Sequence, residues 1–156
     1  MTTSAARRHT HHHDDPRDFI AAVEKASEER GLRLTPLRRE VLELVASAGK
    51  PVKAYDLLDK LREKHGNAAP PTVYRALDFL LEHGFIHKLE SINSFVSCHH
   101  PAEQHQVPFL ICDKCQCAQE VCDERVADLI EAQAKAFGFR PLAQTLEVHG
   151  ICKNCR

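Results

Sequence analysis

The sequence predicts an α+β protein: an N-terminal winged helix-turn-helix unit followed by a small α/β unit. Three observations predict it. Four segments with helical periodicity run straight into a β-hairpin. The pattern changes after Pro101. The second half is then bracketed by two C-x-x-C pairs.

The first helix is expected from about Asp18 to Arg30, with Phe19, Ile20 and Val23 on one face and Gly31 as its stop. The second opens with Thr35 as N-cap and Pro36 at the first helical position, where the missing N–H costs nothing. Leu37, Val41, Leu44 and Val45 form its stripe, and Gly49 ends it. Ala54, Leu57, Leu58 and Leu61 give the third helix one buried face, and it stops near His65-Gly66. The fourth is expected after Pro70-Pro71, with Thr72 as N-cap and Gly84 as its end. Val73, Ala76, Leu77, Leu80 and Leu81 face inward, while Tyr74, Arg75 and Asp78 face out. Two short runs, Phe85 to Glu90 and Ser94 to His99, read as a hairpin across Ser91-Ile92-Asn93.

Beyond the linker the expected order is a strand at Val107 to Cys112, a strand near Ala118 to Cys122, a helix from Asp123 to Phe137 and a strand at about Leu142 to His149. The helix is striped by Val126, Leu129, Ile130 and Phe137. The expected division is therefore a histidine-containing disordered tail at 1–16, the winged-helix unit at 17–100, a hinge at 101–108 and the α/β unit at 109–156. A unit so small seldom has enough core to stand alone and needs a metal, disulfides or a partner subunit. His9, His11, His12 and His13 in the tail read as solvated residues, with loose metal scavenging as the alternative.

Composition narrows the function classes. At 43% apolar and 28% charged residues, the chain is ordinary for a globular protein. No run approaches the roughly 20 apolar residues of a membrane span. Arg7 and Arg8 are not followed by an apolar segment, so no secretory signal is expected. The expected location is the cytoplasm, where seven cysteines point to metal binding rather than disulfides. Net charge is −1; residues 1–90 carry 15 Lys/Arg against 14 Asp/Glu, and residues 91–156 carry 6 against 8. A nucleic-acid partner must therefore be argued from local architecture rather than bulk charge.

Cys112-x-x-Cys115 and Cys152-x-x-Cys155 are two knuckles that together complete a tetrahedral S₄ site suited to zinc. Structural zinc contributes about 10–16 kcal/mol of apparent binding energy in small peptides, enough to decide whether this half folds. A redox pair is the rival reading, but neither pair sits at a strand-to-helix junction of a βαβ unit. Cys117 and Cys122 read as spare thiols, with Cys117 crowded close enough to serve as an alternate ligand.

A second set of ligand-type residues surrounds the linker: His87 and Cys98 on the hairpin, His99, His100 and His105 in the linker, and Glu120 beyond it. Spacing alone does not separate these from ordinary surface histidines. Their interest is topological, because a metal shared by His87/Cys98 and His105/Glu120 would fix one unit's orientation against the other, as a sensing site requires.

Arg33-Leu34-Thr35-Pro36-Leu37-Arg38, Ala54-Tyr55-Asp56-Leu57-Leu58, Pro71-Thr72-Val73-Tyr74-Arg75-Ala76-Leu77-Asp78, Ile111-Cys112-Asp113-Lys114-Cys115 and His149-Gly150-Ile151-Cys152 resemble the ferric uptake regulator family. The likeness covers the chain from about residue 18 to its end and is nearest to the zinc uptake regulators of Gram-negative bacteria. It implies a homodimeric, zinc-responsive transcriptional repressor of zinc uptake genes, with the C-terminal unit as the dimerisation domain. It also implies two Zn²⁺ per subunit, a regulatory one at His87, Cys98, His105 and Glu120 and a structural one at Cys112, Cys115, Cys152 and Cys155. Double-stranded operator DNA is the implied partner, with no membrane or small-molecule substrate and no enzymatic activity.

The histidine run of iron-responsive members is reduced here to His99-His100 and a separate His105, and the soft Cys98 ligand favours zinc. Another metal- or peroxide-responsive regulator of the family is the nearest alternative; a thiol oxidoreductase is a more distant one. On this reading the fourth helix enters the major groove. Tyr74 and Arg75 then reach base edges, Thr72 as N-cap offers N–H groups to a phosphate, and Arg33, Arg38 and Arg39 contact phosphates.

Overall fold

The computed structural model describes residues 15–102 and 107–156. The first fourteen residues of the expected tail, with its four histidines, lie outside the described residues, as does His105.

Helix α1 spans Pro16–Glu29, starting two residues earlier than expected because Asp15 caps it, its side chain accepting from the Arg17 N–H at 2.8 Å. In α2, Pro36–Ser47, the expected cap holds: Thr35 Oγ1 accepts from the Arg38 N–H at 3.4 Å. Helix α3 spans Ala54–His65 and buries Leu57, Leu58 and Leu61. Helix α4 spans Pro70–Glu82 and buries Val73, Ala76, Leu77 and Leu80.

Thr72 is not the α4 N-cap. That position is Ala69, and both prolines lie within the first turn, where their fixed φ suits the helix and no N–H is needed. At the other end, Gly84 takes φ +72°. Its N–H donates to the Leu81 carbonyl, and the Phe85 N–H donates to the Leu80 carbonyl at 2.9 Å. This left-handed stop sends the chain directly into β1, Ile86–Leu89.

β1 pairs antiparallel with β2, Ser94–Ser97, across a 3₁₀ turn at Glu90–Ile92 and a left-handed Asn93. An isolated bridge between Val52 and Phe95 adds the segment before α3 to the hairpin. One core joins α1 to α4 and the hairpin, with Val23, Val41, Leu42, Leu57, Leu61, Leu80 and Phe85 fully buried. This is a winged helix-turn-helix.

The second half holds a three-stranded sheet ordered β4-β3-β5: β3 is Phe109–Cys112, β4 is Ala118–Glu120 and β5 is Glu147–Gly150. β3 runs antiparallel to β4 and parallel to β5. Helix α5, Glu124–Ala136, connects β4 to β5 and is capped by Asp123, which accepts from the Arg125 N–H.

Two expectations are corrected here. The last strand begins only at Glu147, and Leu142 is 88% exposed. The stripe on α5 covers no core of its own chain: none of its residues is buried, and Leu129 and Phe137 are 61% and 84% exposed.

The halves meet at the hairpin. Leu89 from β1 joins Phe109 and Ile111 from β3 in a second, smaller core, flanked by Ile92, Val96, Val107 and Ala118. Glu147 on β5 accepts from the N–H groups of Glu90 and Ser91 at 2.6 and 3.0 Å, and His149 spans Ser91 and Asp113. Arg30, beyond the end of α1, donates to the carbonyls of His83, Pro101 and Ala102 at 2.8–2.9 Å, fastening the start of the linker to the winged helix.

Candidate metal centres

The parallel β3/β5 pairing places the two C-x-x-C knuckles side by side. Cys112 ends β3 opposite Gly150, and Cys152 follows Gly150 by two residues. The Asp113 N–H donates to the Gly150 carbonyl at 2.9 Å, and the Cys152 N–H donates to Cys112 Sγ at 3.4 Å. N–H groups of Cys115, Cys152 and Lys114 directed at that sulfur hold the Cys112 thiol down to about 6, which favours the thiolate, the ligand form.

Cys115 Sγ lies 3.8 Å from Cys152 Sγ. Gln116, left-handed at φ 58°, turns the chain so that Cys117 joins the group, and the sulfurs of Cys112, Cys115, Cys117 and Cys152 all lie within 4.8 Å of one another. The Cys155 thiol interacts with the sulfurs of Cys152, Cys115 and Cys112, which push it up to about 12. Sulfur donors this close fit a tetrahedral zinc ion. The set within that distance holds Cys117 where the spacing predicts Cys155 as the fourth sulfur.

The second centre forms where the halves touch. His87 lies on β1, Cys98 follows β2 with its N–H donating to the Phe85 carbonyl, and Glu120 ends β4 opposite Phe109. One ligand atom from each lies within 4.8 Å of the other two. The Phe109 ring packs edge-on against His87 at 5.4 Å. Cys98 is 1% exposed and Glu120 5%. Burial, and then the neighbouring Glu120 charge, push the Cys98 thiol up to about 12. This buried nitrogen, sulfur and oxygen set fits zinc, a borderline-soft ion. Of the expected ligands, His87, Cys98 and Glu120 come together; His105 lies outside the described residues.

Two further side chains that spacing could not place here, His100 and Cys122, stand against Glu120. Their signal in the sequence was only their residue type.

On α4, Thr72, Tyr74 and Arg75 are exposed, and among the described residues no ion pair engages Arg75. The phosphate expectation for Thr72 as N-cap is overturned: its own N–H donates to the Ala69 carbonyl at 3.1 Å, and the two prolines before it have no N–H to offer. Arg33 is exposed. Arg38 stacks 3.7 Å over the Phe79 ring and donates to the Arg33 carbonyl. Arg39 pairs with Glu24 at 2.6 Å and with Glu43, tying α2 to α1, so its charge is already matched within the chain.

The family model described as FUR: Ferric uptake regulator family matches residues 29–149. The chain belongs to the ferric uptake regulator family. It is 47% identical over 139 residues to the zinc uptake regulation protein of Escherichia coli K12, covering 88% of this chain and 81% of that one. A solved zinc uptake regulator complexed with zinc and DNA superposes with TM-score 0.85 at 46% identity, over 90% of this chain and 94% of the other.

Two forms of XcZur sharpen the comparison. The holo form, 64% identical, gives a TM-score of 0.83 over 88% of this chain and 96% of that one. The apo form, 62% identical over 91% and 98%, gives 0.55. The ferric uptake regulator family is one of transcription regulators rather than enzymes. No helix of the described residues is long and apolar enough to cross a membrane.

Proposed function

We propose that this chain is a zinc-responsive transcriptional repressor of the cytoplasm: loaded with zinc, it binds operator DNA as a homodimer and silences zinc uptake genes. The observation that carries this reading is the placement of His87, Cys98 and Glu120. The first two come from the hairpin of the winged helix and the third from the sheet of the other half, with their ligand atoms within 4.8 Å. Such a set binds zinc only while the two halves keep this relative orientation, so binding and orientation are linked. The division into winged-helix unit, hinge at 101–108 and dimerisation unit belongs to this reading, as does His105 as the fourth ligand.

The XcZur pair supports the linkage. At nearly equal identity, this chain's arrangement is much nearer the holo form than the apo form. Two resident zinc ions per subunit belong to this reading, supported by two of the donor sets: the knuckle cysteines would fasten the second half, and the His87 centre would report on supply. Exposed Leu129 and Ile130 on α5, and Phe137 at its C-cap, support a homodimer that covers them. Tyr74 and Arg75 on the exposed face of α4, together with Arg33, are the proposed DNA-contacting residues, Thr72 offering only its exposed side chain and not its N–H; Arg38 and Arg39 take mainly structural roles.

The direct test is binding of the purified dimer to DNA fragments selected from a random library, with zinc buffered across a range of free concentrations. Binding should appear as the second zinc equivalent per subunit enters and vanish with a chelator that spares the first. Binding that ignores zinc would refute the reading.

A further inference from the structure

Beside the buried centre stands a triangle of ligand atoms. Cys122 Sγ donates to Glu120 Oε1 at 3.7 Å and lies 3.9 Å from His100 Nδ1, which is 3.9 Å from the same carboxylate oxygen. The centre of a near-equilateral triangle with these sides lies about 2.2 Å from each corner, matching zinc's bond lengths to sulfur, nitrogen and oxygen of about 2.0–2.3 Å. Three protein ligands leave a fourth position for water, the pattern of exchangeable rather than closed zinc sites.

Exposure separates the two sets. Cys122 is exposed and the His100 side chain 25% exposed, whereas Cys98 in the buried set is 1% exposed. Glu120 belongs to both, and its other oxygen, Oε2, accepts from the His99 N–H at 3.1 Å. The His100 N–H donates to Cys98 Sγ at 3.3 Å, so the two sets are in direct contact at a second point as well.

We infer that His100, Glu120 and Cys122 form a third, solvent-open zinc site through which zinc reaches and leaves the buried His87–Cys98–Glu120 centre. The inference rests on the proposed reading of that centre. A hydrated zinc ion in solution has no open approach to Cys98, but it can meet Cys122. Capture there forms a zinc–sulfur bond and releases the Cys122 thiol proton to solvent. Moving inward, the ion exchanges Cys122 and His100 for Cys98 and His87 while the Glu120 carboxylate remains a ligand. Cys98 gives up its proton as Cys122 regains one, so the transfer step is neutral in protons and changes no oxidation state. A shared carboxylate makes this stepwise, without an ion stripped of all its protein ligands.

The test uses the full-length dimer with its knuckle cysteines filled, titrated with Co²⁺ and followed by sulfur-to-cobalt charge-transfer absorption. Wild type should take up a further equivalent per subunit after the buried centre fills, and Cys122→Ala and His100→Ala should each lose it. Stopped-flow mixing with zinc, and then with a colorimetric chelator, reads the second half of the claim. In both variants loading and extraction should slow by the same factor, leaving their ratio, the affinity, as in wild type. A further equivalent that survives in both variants, or rates that stay at wild-type values, would overturn the inference. So would faster extraction with unchanged loading, which marks residues that merely support the buried centre. Cys98→Ser separates the two readings: it should still bind the outer cobalt equivalent, while its DNA binding reports on the buried centre alone.

Discussion

Thr35 and Thr72 precede similar helical stripes, yet only Thr35 caps its helix. Thr35 is followed by one proline, which occupies the first helical position; Thr72 is preceded by two, which accept helical φ themselves and pull the start back to Ala69. Local chemistry of this kind is legible in a sequence when only one residue competes for the cap. Cys122 and Arg30 were not legible at all. Cys122 meets His100 only because the two halves pack together on either side of the linker, and Arg30 reaches Pro101 and Ala102 over 71 and 72 residues.

Arg75 remains the proposed base reader; it is exposed on α4 and, among the described residues, matched by no carboxylate. Arg75→Ala should cost about 1–3 kcal/mol of discrimination at one operator position, read as flattened preference in a competition binding assay. Zinc content and dimer size should be unchanged. Preserved preference would assign Arg75 a phosphate contact instead.

Among the elements, α5 departs most from what its periodicity suggests. An amphipathic stripe states that one face will be covered but not by which chain. Here Leu129 and Ile130 remain 61% and 41% exposed in the protomer. Leu129→Glu combined with Ile130→Glu should therefore leave the winged helix folded while costing about 2 kcal/mol or more of association energy. Analytical ultracentrifugation should show monomer, and operator binding should fall with it. A dimer of unchanged strength would place the interface elsewhere. The knuckles show the opposite case: the C-x-x-C spacing is visible at once, and parallel β3/β5 pairing is what brings the two knuckles side by side.

Across the whole molecule, the winged helix was readable because its contacts are mostly between neighbouring elements, and helical stripes followed by a hairpin admit few arrangements. The buried metal centre was not readable from spacing. His87, Cys98 and Glu120 are separated by a hairpin and a linker, and only their shared position at the junction of the halves gives them a common purpose. The family resemblance named them as a set; the fold supplies the physical reason, a junction with Leu89, Phe109 and Ile111 packed beneath it and Glu147 and Arg30 holding its sides. On the proposed reading the knuckle centre would fasten one half, while the buried centre would couple the two halves.

The measurement that bears most directly on this coupling is a zinc titration of operator binding by Cys98→Ser beside wild type, with bound zinc counted on the same samples. The account predicts that the variant stays a folded dimer, keeps its knuckle zinc and fails to bind operator at free-zinc levels that saturate wild type. Wild-type operator binding by Cys98→Ser over the same zinc range would contradict it.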